Sequence, residues 1–273
     1  MTPPDAGLGR SDTAGIRLAF ATLTVLRIPV TEVEATDRRT AGAAMASAPL
    51  VGLVLGALAA LVGWAVHWYS GSPALAAIGA VATLAALTRG LHLDGLADTA
   101  DGLGSAKPAA AALDIMKRSD IGPFGVVTIT LTLAAQVAAL TVAYGRDGSA
   151  GFSHAAVAVI TAATAGRLAI TVACTPRIPS ARPTGLGAWV AGSVSPPAAL
   201  AMTILCIAAC VGIGFAASPH TALLAAAAVP ISLLAAGLLL RRCIHRFGGI
   251  TGDVLGALTE TATTTALLVL AAR

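Results

Sequence analysis

Formal charges leave long gaps along this chain. No Asp, Glu, Lys or Arg occurs from Ala41 to Thr88, from Ile121 to Gly145, from Gly148 to Gly166, or from Pro183 to Leu240. Each gap has room for one or two membrane spans, because ~20 apolar residues cross a bilayer core about 30 Å thick. An amphipathic helix of a soluble protein would carry charged residues along its outer face, and these segments carry none. The pattern predicts spans over Met45–Val66, Pro73–Leu91, Phe124–Tyr144, His154–Cys174, Ala198–Ala217, Thr221–Leu240 and Val254–Ala272. Arg17 and Arg27 interrupt the apolar stretch Ile16–Val30. That stretch therefore predicts a short interfacial helix, with Ser11 or Asp12 as N-cap, and no cleavable signal. The expected fold is all-α: a polytopic integral membrane protein with six or seven transmembrane helices. With no repeat and no linker in view, one domain is expected over residues 1–273, residues 1–44 forming its N-terminal cytoplasmic or interfacial segment.

Composition strengthens the membrane reading. Hydrophobic residues make up 56% of the chain and charged residues only 11%, where soluble domains carry about 25% charged residues. Mean hydropathy is +0.84. The 17 basic and 13 acidic residues give a basic balance, which in a membrane protein reflects Lys and Arg retained in cytoplasmic loops. Aromatics are sparse, at 4%, and do not alternate with basic residues, so nucleic-acid binding is excluded. The connections His67–Ser72, Gly145–Gly151 and Ser218–His220 are short, with Arg146 and Asp147 their only formal charges. The N-terminal region, Arg89–Ile121, Thr175–Pro197 and Arg241–Asp253 hold nearly all the Lys and Arg. These two sets alternate along the chain, so the charged set is expected to face the cytoplasm. Gly52 and Gly56 form a small-xxx-small pair suited to close helix packing in lipid. Cys206 and Cys210 share one face of a span and predict packing; Cys174 and Cys243 are expected to remain thiols, since no metal or disulfide spacing is present.

The chemistry concentrates in three segments. The first is Arg89-Gly-Leu-His92-Leu-Asp94-Gly-Leu-Ala-Asp98-Thr-Ala-Asp101-Gly-Leu-Gly104. In a helix, Asp94, Asp98 and Asp101 fall at i, i+4 and i+7 and stack on one face. Directly after an apolar span, where a single acid at the bilayer centre costs ~2.5–3.5 kcal/mol, three carboxylates call for a compensating cation. Hard oxygen donors suit Mg²⁺, which shares its shell with substrate phosphates; the D-x-D-x-D-G spacing of an EF-hand is absent. The second segment, Asp114 to Gly125, carries Lys117 and Arg118, which either anchor the topology or hold phosphate oxygens. The third, Arg241 to Glu260, holds Gly248, Gly249 and Gly252 before Asp253, an N-terminal capping acid or a ligand. Glu260 and Arg167 lie inside predicted spans, where ionisable groups are paired or functional. His92 and His245 flank the acidic segments and are candidates for proton relay. His67, His154 and His220 have no evident role. Arg177–Gly187 reads as an ordered cytoplasmic loop.

At these residues the chain resembles the cobalamin synthase family, the adenosylcobinamide-GDP ribazoletransferases. The run Gly90 to Gly102 matches the family's Gly-(Leu/Phe)-His-Leu-Asp-Gly-Leu-Ala-Asp-Thr-x-Asp-Gly, Leu113–Lys117 matches its Leu-(Glu/Asp)-Ile-Met-(Lys/Arg), and Gly248–Ala257 matches its Gly-Gly-x-Thr-Gly-Asp-x-Leu-Gly-Ala. Arg27–Val30 and Gly185–Gly187 fit in order. The chain departs at Lys117-Arg118-Ser119-Asp120, where the family commonly reads basic-Asp-Ser-Arg, and at Leu26 and Thr31. The resemblance implies Mg²⁺-dependent attack by the 5′-hydroxyl of α-ribazole, or use of α-ribazole 5′-phosphate, on adenosylcobinamide-GDP with release of GMP. It places the reaction in cobalamin biosynthesis, at the inner membrane, with the site facing the cytoplasm. On this basis Asp94, Asp98, Asp101, Asp253 and Glu260 are candidate metal ligands, in one or two Mg²⁺ sites. Asp101, His92 and Asp253 are candidate catalytic groups; Lys117, Arg118 and Arg167 are candidate pyrophosphate contacts. A homo-oligomer is left open. A Mg²⁺-dependent membrane prenyltransferase and a cation transporter are the alternatives. Against them stand the lack of a clear second Asp-rich motif and of an inverted repeat.

Overall fold

The computed structural model describes residues 8–146 and 154–272, and among them the chain is helical, with one isolated β-bridge between Ser180 and Ile250. Helix α1 (Leu8–Leu23) leads into two short helices, α2 (Glu32–Thr36) and α3 (Arg38–Ala46), and then into the first long apolar helix, α4 (Ala48–Ser70). Because α1 begins at Leu8, Ser11 and Asp12 fall inside it and do not cap it; their side chains, like Asp147, lie outside the described residues. Thr31, one of the two departures from the family pattern, is instead the N-cap of α2 in a reciprocal capping box with Glu34.

Among the described residues six helices are long and apolar enough to cross a membrane: α4, α8 (Pro123–Tyr144), α9 (His154–Ala173), α11 (Pro196–Ala217), α12 (Pro219–Phe247) and α13 (Gly252–Leu270). The pair α5 (Pro73–Leu87) and α6 (Leu91–Gly104), bent by 86°, makes a seventh when counted as one broken span. The expected span Pro73–Leu91 therefore stops at Leu87. Arg89 and Gly90 both adopt positive φ, 54° and 68°; two successive left-handed residues cannot continue a right-handed helix. The other correction concerns α12, which runs to Phe247 and not Leu240. Arg241 and Arg242 extend the helix beyond its apolar stretch without ending it. The sequence also hid two short helices in the polar connections, α7 (Ala109–Ile115) and α10 (Leu186–Val190).

Local chemistry explains most other boundaries. Ser72, Ser195, Ser218 and Thr251 each cap a helix through the side-chain oxygen. Proline stands in the first turn of α5, α8, α11 and α12, where its missing N–H loses nothing. Gly71 and Gly248 close α4 and α12 in the left-handed conformation.

Helix α9 runs through the centre, buried along nearly its whole length. Lipid gives no hydrophobic reward for burying apolar side chains between helices, so small residues and close backbones supply the packing. Gly52 and Gly56 of α4 lie on α9 so closely that a Cβ on Gly56 would stand 2.8 Å from Cα of Ile160. Gly166 of α9 packs likewise on Thr259 of α13. Cys206 and Cys210 are buried and free, as are Cys174 and Cys243.

The polar connections meet at one end of the bundle. Val25 N–H donates to Leu87 O at 2.8 Å, Val194 N–H to Cys174 O at 3.0 Å, and Ile250 N–H to Pro179 O at 2.9 Å. Arg38 donates to Ala191 O and Arg246 to Lys107 O. The opposite end is sparser. There Arg146 donates to the carbonyls of Ala271 and Ala272, and His67 stacks on Tyr144 at 5.6 Å. His154 bonds Leu270 O at 2.7 Å. Trp64, Trp68 and Tyr69 are exposed near the end of α4, as expected for aromatic side chains at a membrane interface.

Candidate active site

The 86° bend turns α6 away from α5, so its acids lie against the start of α13. The helices touch through glycines: a Cβ on Gly95 would stand 2.9 Å from Cα of Asp253, and one on Gly256 would stand 3.2 Å from Cα of His92. Two motifs separated by some 150 positions in sequence thus become one surface. Asp94 is exposed, Asp98 half-buried and Asp101 buried, so the row expected from the i, i+4, i+7 spacing descends from solvent into the protein. Asp98 feels the charges of Asp253, Asp94 and Asp101, and Asp253 also feels that of Asp94. Among the described residues no ion pair compensates Asp94 or Asp98. The nearest cation to Asp253 is Arg182, at 3.8 Å.

Arg182 was not singled out from sequence. It comes from the loop after α9, which a short parallel bridge fastens to the glycine-rich turn before α13: Ala181 N–H donates to Ile250 O at 2.9 Å. Gly249 lets that turn approach the Pro179 backbone too closely for any Cβ. The guanidinium also donates to Leu113 O at 2.6 Å, joining the α7 segment to the same surface. Two arginines in an Arg-x-Pro loop were the available signal, but its pairing partner lies 71 residues on.

Asp101 does something different from its two neighbours. Its Oδ2 accepts from Gly122 N–H at 2.7 Å and its Oδ1 from Gly125 N–H at 2.9 Å. Both oxygens are thus committed to the first turn of α8, where free amides favour an anion. A Cβ on Gly122 would fall 2.5 Å from Asp101 Oδ1, so the glycines are what permit this approach.

Two cavities open along the acid row, one at Asp94 and the other at Asp101. One, about 230 Å³, is lined by Asp94 and Asp253 with His92 and a largely apolar wall that includes Met45, Ile170 and Leu186. His92 is buried and its Nε2 has no hydrogen-bond partner. The other, about 340 Å³, is lined by Asp101, Ser105, Lys107, Arg118, Asp120 and Phe124 among others. Lys117, expected beside Arg118 in phosphate contact, points elsewhere: it pairs with Asp114 at 3.6 Å on the surface.

Arg167 and Glu260 are brought together, but away from this surface. They share a cavity of about 10 Å³ with Gln136 and Thr263. Gln136 Nε2 donates to Glu260 Oε2 at 2.8 Å and to Thr264 Oγ1 at 3.0 Å. Arg167 Nε has no partner. Seven residues separate Glu260 from Asp253, about 10 Å along a helix axis. Gln136 is the polar partner that sequence reading missed; its signal was a lone amide within a charge-free span.

The donor set fits Mg²⁺. Among the described residues no three acids, histidines or cysteines close a metal cage, but Mg²⁺ commonly takes only one or two carboxylates and completes its shell with water and substrate phosphate. Asp94 and Asp253, on one cavity wall, supply such a pair.

The bundle and its acid-lined end define a polytopic membrane protein with a polar site at one face. Comparison with known sequences identifies it further: the cobalamin-5-phosphate synthase family matches residues 15–271, and the chain belongs to that family. It is 44% identical over 267 residues to an adenosylcobinamide-GDP ribazoletransferase of Frankia casuarinae, covering 93% of each chain. A protein of that name from Nocardioides sp. is 37% identical, over 94% of this chain and 98% of its own. One from Desulforamulus reducens is 35% identical, over 90% and 92%. No solved structure matches the chain.

Proposed function

We propose that this protein is an adenosylcobinamide-GDP ribazoletransferase that joins adenosylcobinamide-GDP to α-ribazole, or to α-ribazole 5′-phosphate, and releases GMP. The observation that carries the reading is the meeting of Asp94 and Asp253, from two family motifs, on one cavity wall at the charged end of the bundle. The positive-inside rule supports a cytoplasmic orientation for that end, with the helices in the inner membrane, where a nucleotide-activated substrate is available.

Displacement at a phosphate needs positioning and charge neutralisation more than covalent help. Mg²⁺ held by Asp94 and Asp253, with Asp98 beside them, would supply that neutralisation. Arg182, already 3.8 Å from Asp253, keeps the carboxylate turned toward the cavity. His92 Nε2, buried and unpartnered among the described residues, takes the proton from the attacking ribose hydroxyl of the acceptor. Arg118, with Lys107 across the larger cavity, holds the phosphates of the departing nucleotide, and Lys117 screens them from the surface. Asp101 fixes the entrance of α8 against the acid row. Arg167 and Glu260 brace the helices that carry the site.

The test is direct. Purified protein in liposomes receives adenosylcobinamide-GDP, α-ribazole and Mg²⁺, and GMP and cobamide are followed by chromatography. Magnesium-dependent formation of both in equal amounts is expected. Absence of both from folded protein would reject the reading in favour of prenyl transfer or cation transport.

A further inference from the structure

We infer that the 230 Å³ cavity beside Asp94 and Asp253 is the subsite for the acceptor's base, a planar and largely apolar bicycle, and that its wall selects that base. The inference rests on the transferase reading above and assigns the two substrates to the two ends of the acid row.

Size is the first argument. Sites for drug-sized ligands start at about 300 Å³, so a cavity of about 230 Å³ admits one ring system with a sugar at its mouth and excludes a corrinoid. Lining chemistry is the second. Met45, Ile170 and Leu255 form a buried apolar wall, and Leu186 closes one side from α10. The larger cavity carries Lys107, Arg118 and Asp120 instead, groups suited to a charged nucleotide. The third argument is polarity along the smaller cavity. Its carboxylates and His92 come from α6 and α13, while Leu23, Met45, Ile170 and Leu186 of its apolar wall come from α1, α3, α9 and α10, with Leu91 and Leu255 added from α6 and α13. An acceptor with its base against Met45 and Ile170 would thus present its sugar hydroxyl to the acids and to Nε2 of His92. Gly252 also lines the cavity, and a Cβ there would come into ordinary contact with Leu186, at 3.5 Å.

Leu186 is 37% exposed, so Leu186→Trp narrows the cavity from its rim with little demand on the fold. It is expected to raise KM for α-ribazole at least tenfold while KM for adenosylcobinamide-GDP stays within twofold. The enlarging variant Ile170→Ala is expected to shift the kcat/KM ratio at least tenfold toward a riboside carrying a naphtho-fused imidazole. Binding of α-ribazole alone, followed by the fluorescence of its base, should weaken in Leu186→Trp by the same factor as KM rises. Unchanged α-ribazole KM and binding in folded Leu186→Trp, with active wild type, would overturn the subsite and leave the transferase reading standing. A rise confined to the corrinoid substrate would reverse the assignment of the two cavities. Wild type that turns over neither substrate would remove both.

Discussion

Carboxylates occupy two very different places in this molecule. At the charged end, Asp94 and Asp253 border a cavity, and the one ion pair there among the described residues joins Asp253 to Arg182 at 3.8 Å. In the bundle interior, Glu260 accepts from Gln136 at 2.8 Å and shares a small cavity with Arg167. The same functional group borders an open cavity beside a guanidinium in one place and is held by a neutral amide in the interior in the other. A buried charge is tolerated only with partners that replace its water, and Glu260 has one in Gln136. The acids at the α6–α13 contact, with solvent on one side, remain available to a metal and a phosphate. Membrane position by itself does not mark an acid as catalytic; the state of its partners does.

The sharpest way to break this comparison is to neutralise one acid of each kind. Asp253→Asn and Asp94→Ala are each expected to lower turnover by on the order of 10³-fold, as loss of a preorganised electrostatic group does, while detergent-solubilised protein keeps its wild-type elution profile and helicity. Activity within tenfold of wild type in either variant would remove that residue from the metal site.

The interior acid should respond through stability. Arg167 and Glu260 make no ion pair within 4 Å among the described residues, but each feels the other's charge, and removing one leaves the other's buried charge with less compensation. Arg167→Met should therefore lower the unfolding midpoint in detergent sharply. The double variant Arg167→Met/Glu260→Gln should recover most of the loss, because the oxygen of a neutral amide can still accept from Gln136. If the double variant is as unstable as the single one, Arg167 stabilises the bundle by packing and not by charge.

How much of this was legible in the sequence depended on distance along the chain. The charge gaps revealed the spans, because a helix surrounded by lipid admits few charges. The three-aspartate spacing revealed a row, and Gly52 and Gly56 a helix contact. All three are local signals. The bend at Arg89 and Gly90 was not legible, because a positive φ at arginine is imposed by tertiary context and a lone glycine allows many turns. Arg182 could not be joined to Asp253, since the bridge between Ser180 and Ile250 that aligns them spans 70 residues. Nor could the commitment of Asp101 to Gly122 and Gly125 be foreseen. From sequence it was the equal of Asp94 and Asp98, and only the position of α8 distinguishes it.

That distinction can be sharpened within the row itself. Hydrogen bonds to a charged group contribute ~1.5–3 kcal/mol each, so Asp101→Ala should destabilise the protein measurably, with Asp101→Asn intermediate because one amide oxygen can still accept. Asp94→Ala removes no such bond and should leave the midpoint nearly unchanged. A metal titration separates them further. Asp94→Ala should raise the Mg²⁺ concentration for half-maximal activity, and Asp101→Asn should lower the maximum while leaving that concentration within about twofold. A Mg²⁺ requirement that moves equally in both would place Asp101 among the ligands.

The smallest expected contrast lies between two adjacent cations. Arg118 lines the larger cavity, while Lys117 pairs with Asp114 across 3.6 Å with both side chains more than half exposed. Exposed pairs contribute about 0–1 kcal/mol, and a lysine outside the cavity can act on a phosphate only through a screened field. Arg118→Ala should raise KM for adenosylcobinamide-GDP on the order of tenfold, the loss of about one charge-assisted contact. Lys117→Ala should change it by about twofold at low ionic strength and by less as salt is added. Because the two residues are neighbours in sequence, any topological effect of removing positive charge from this loop would be the same for both. A difference in KM between them therefore reports the cavity alone. Equal effects that vanish together with salt would mean that the loop acts as a diffuse positive field and that neither side chain touches the nucleotide.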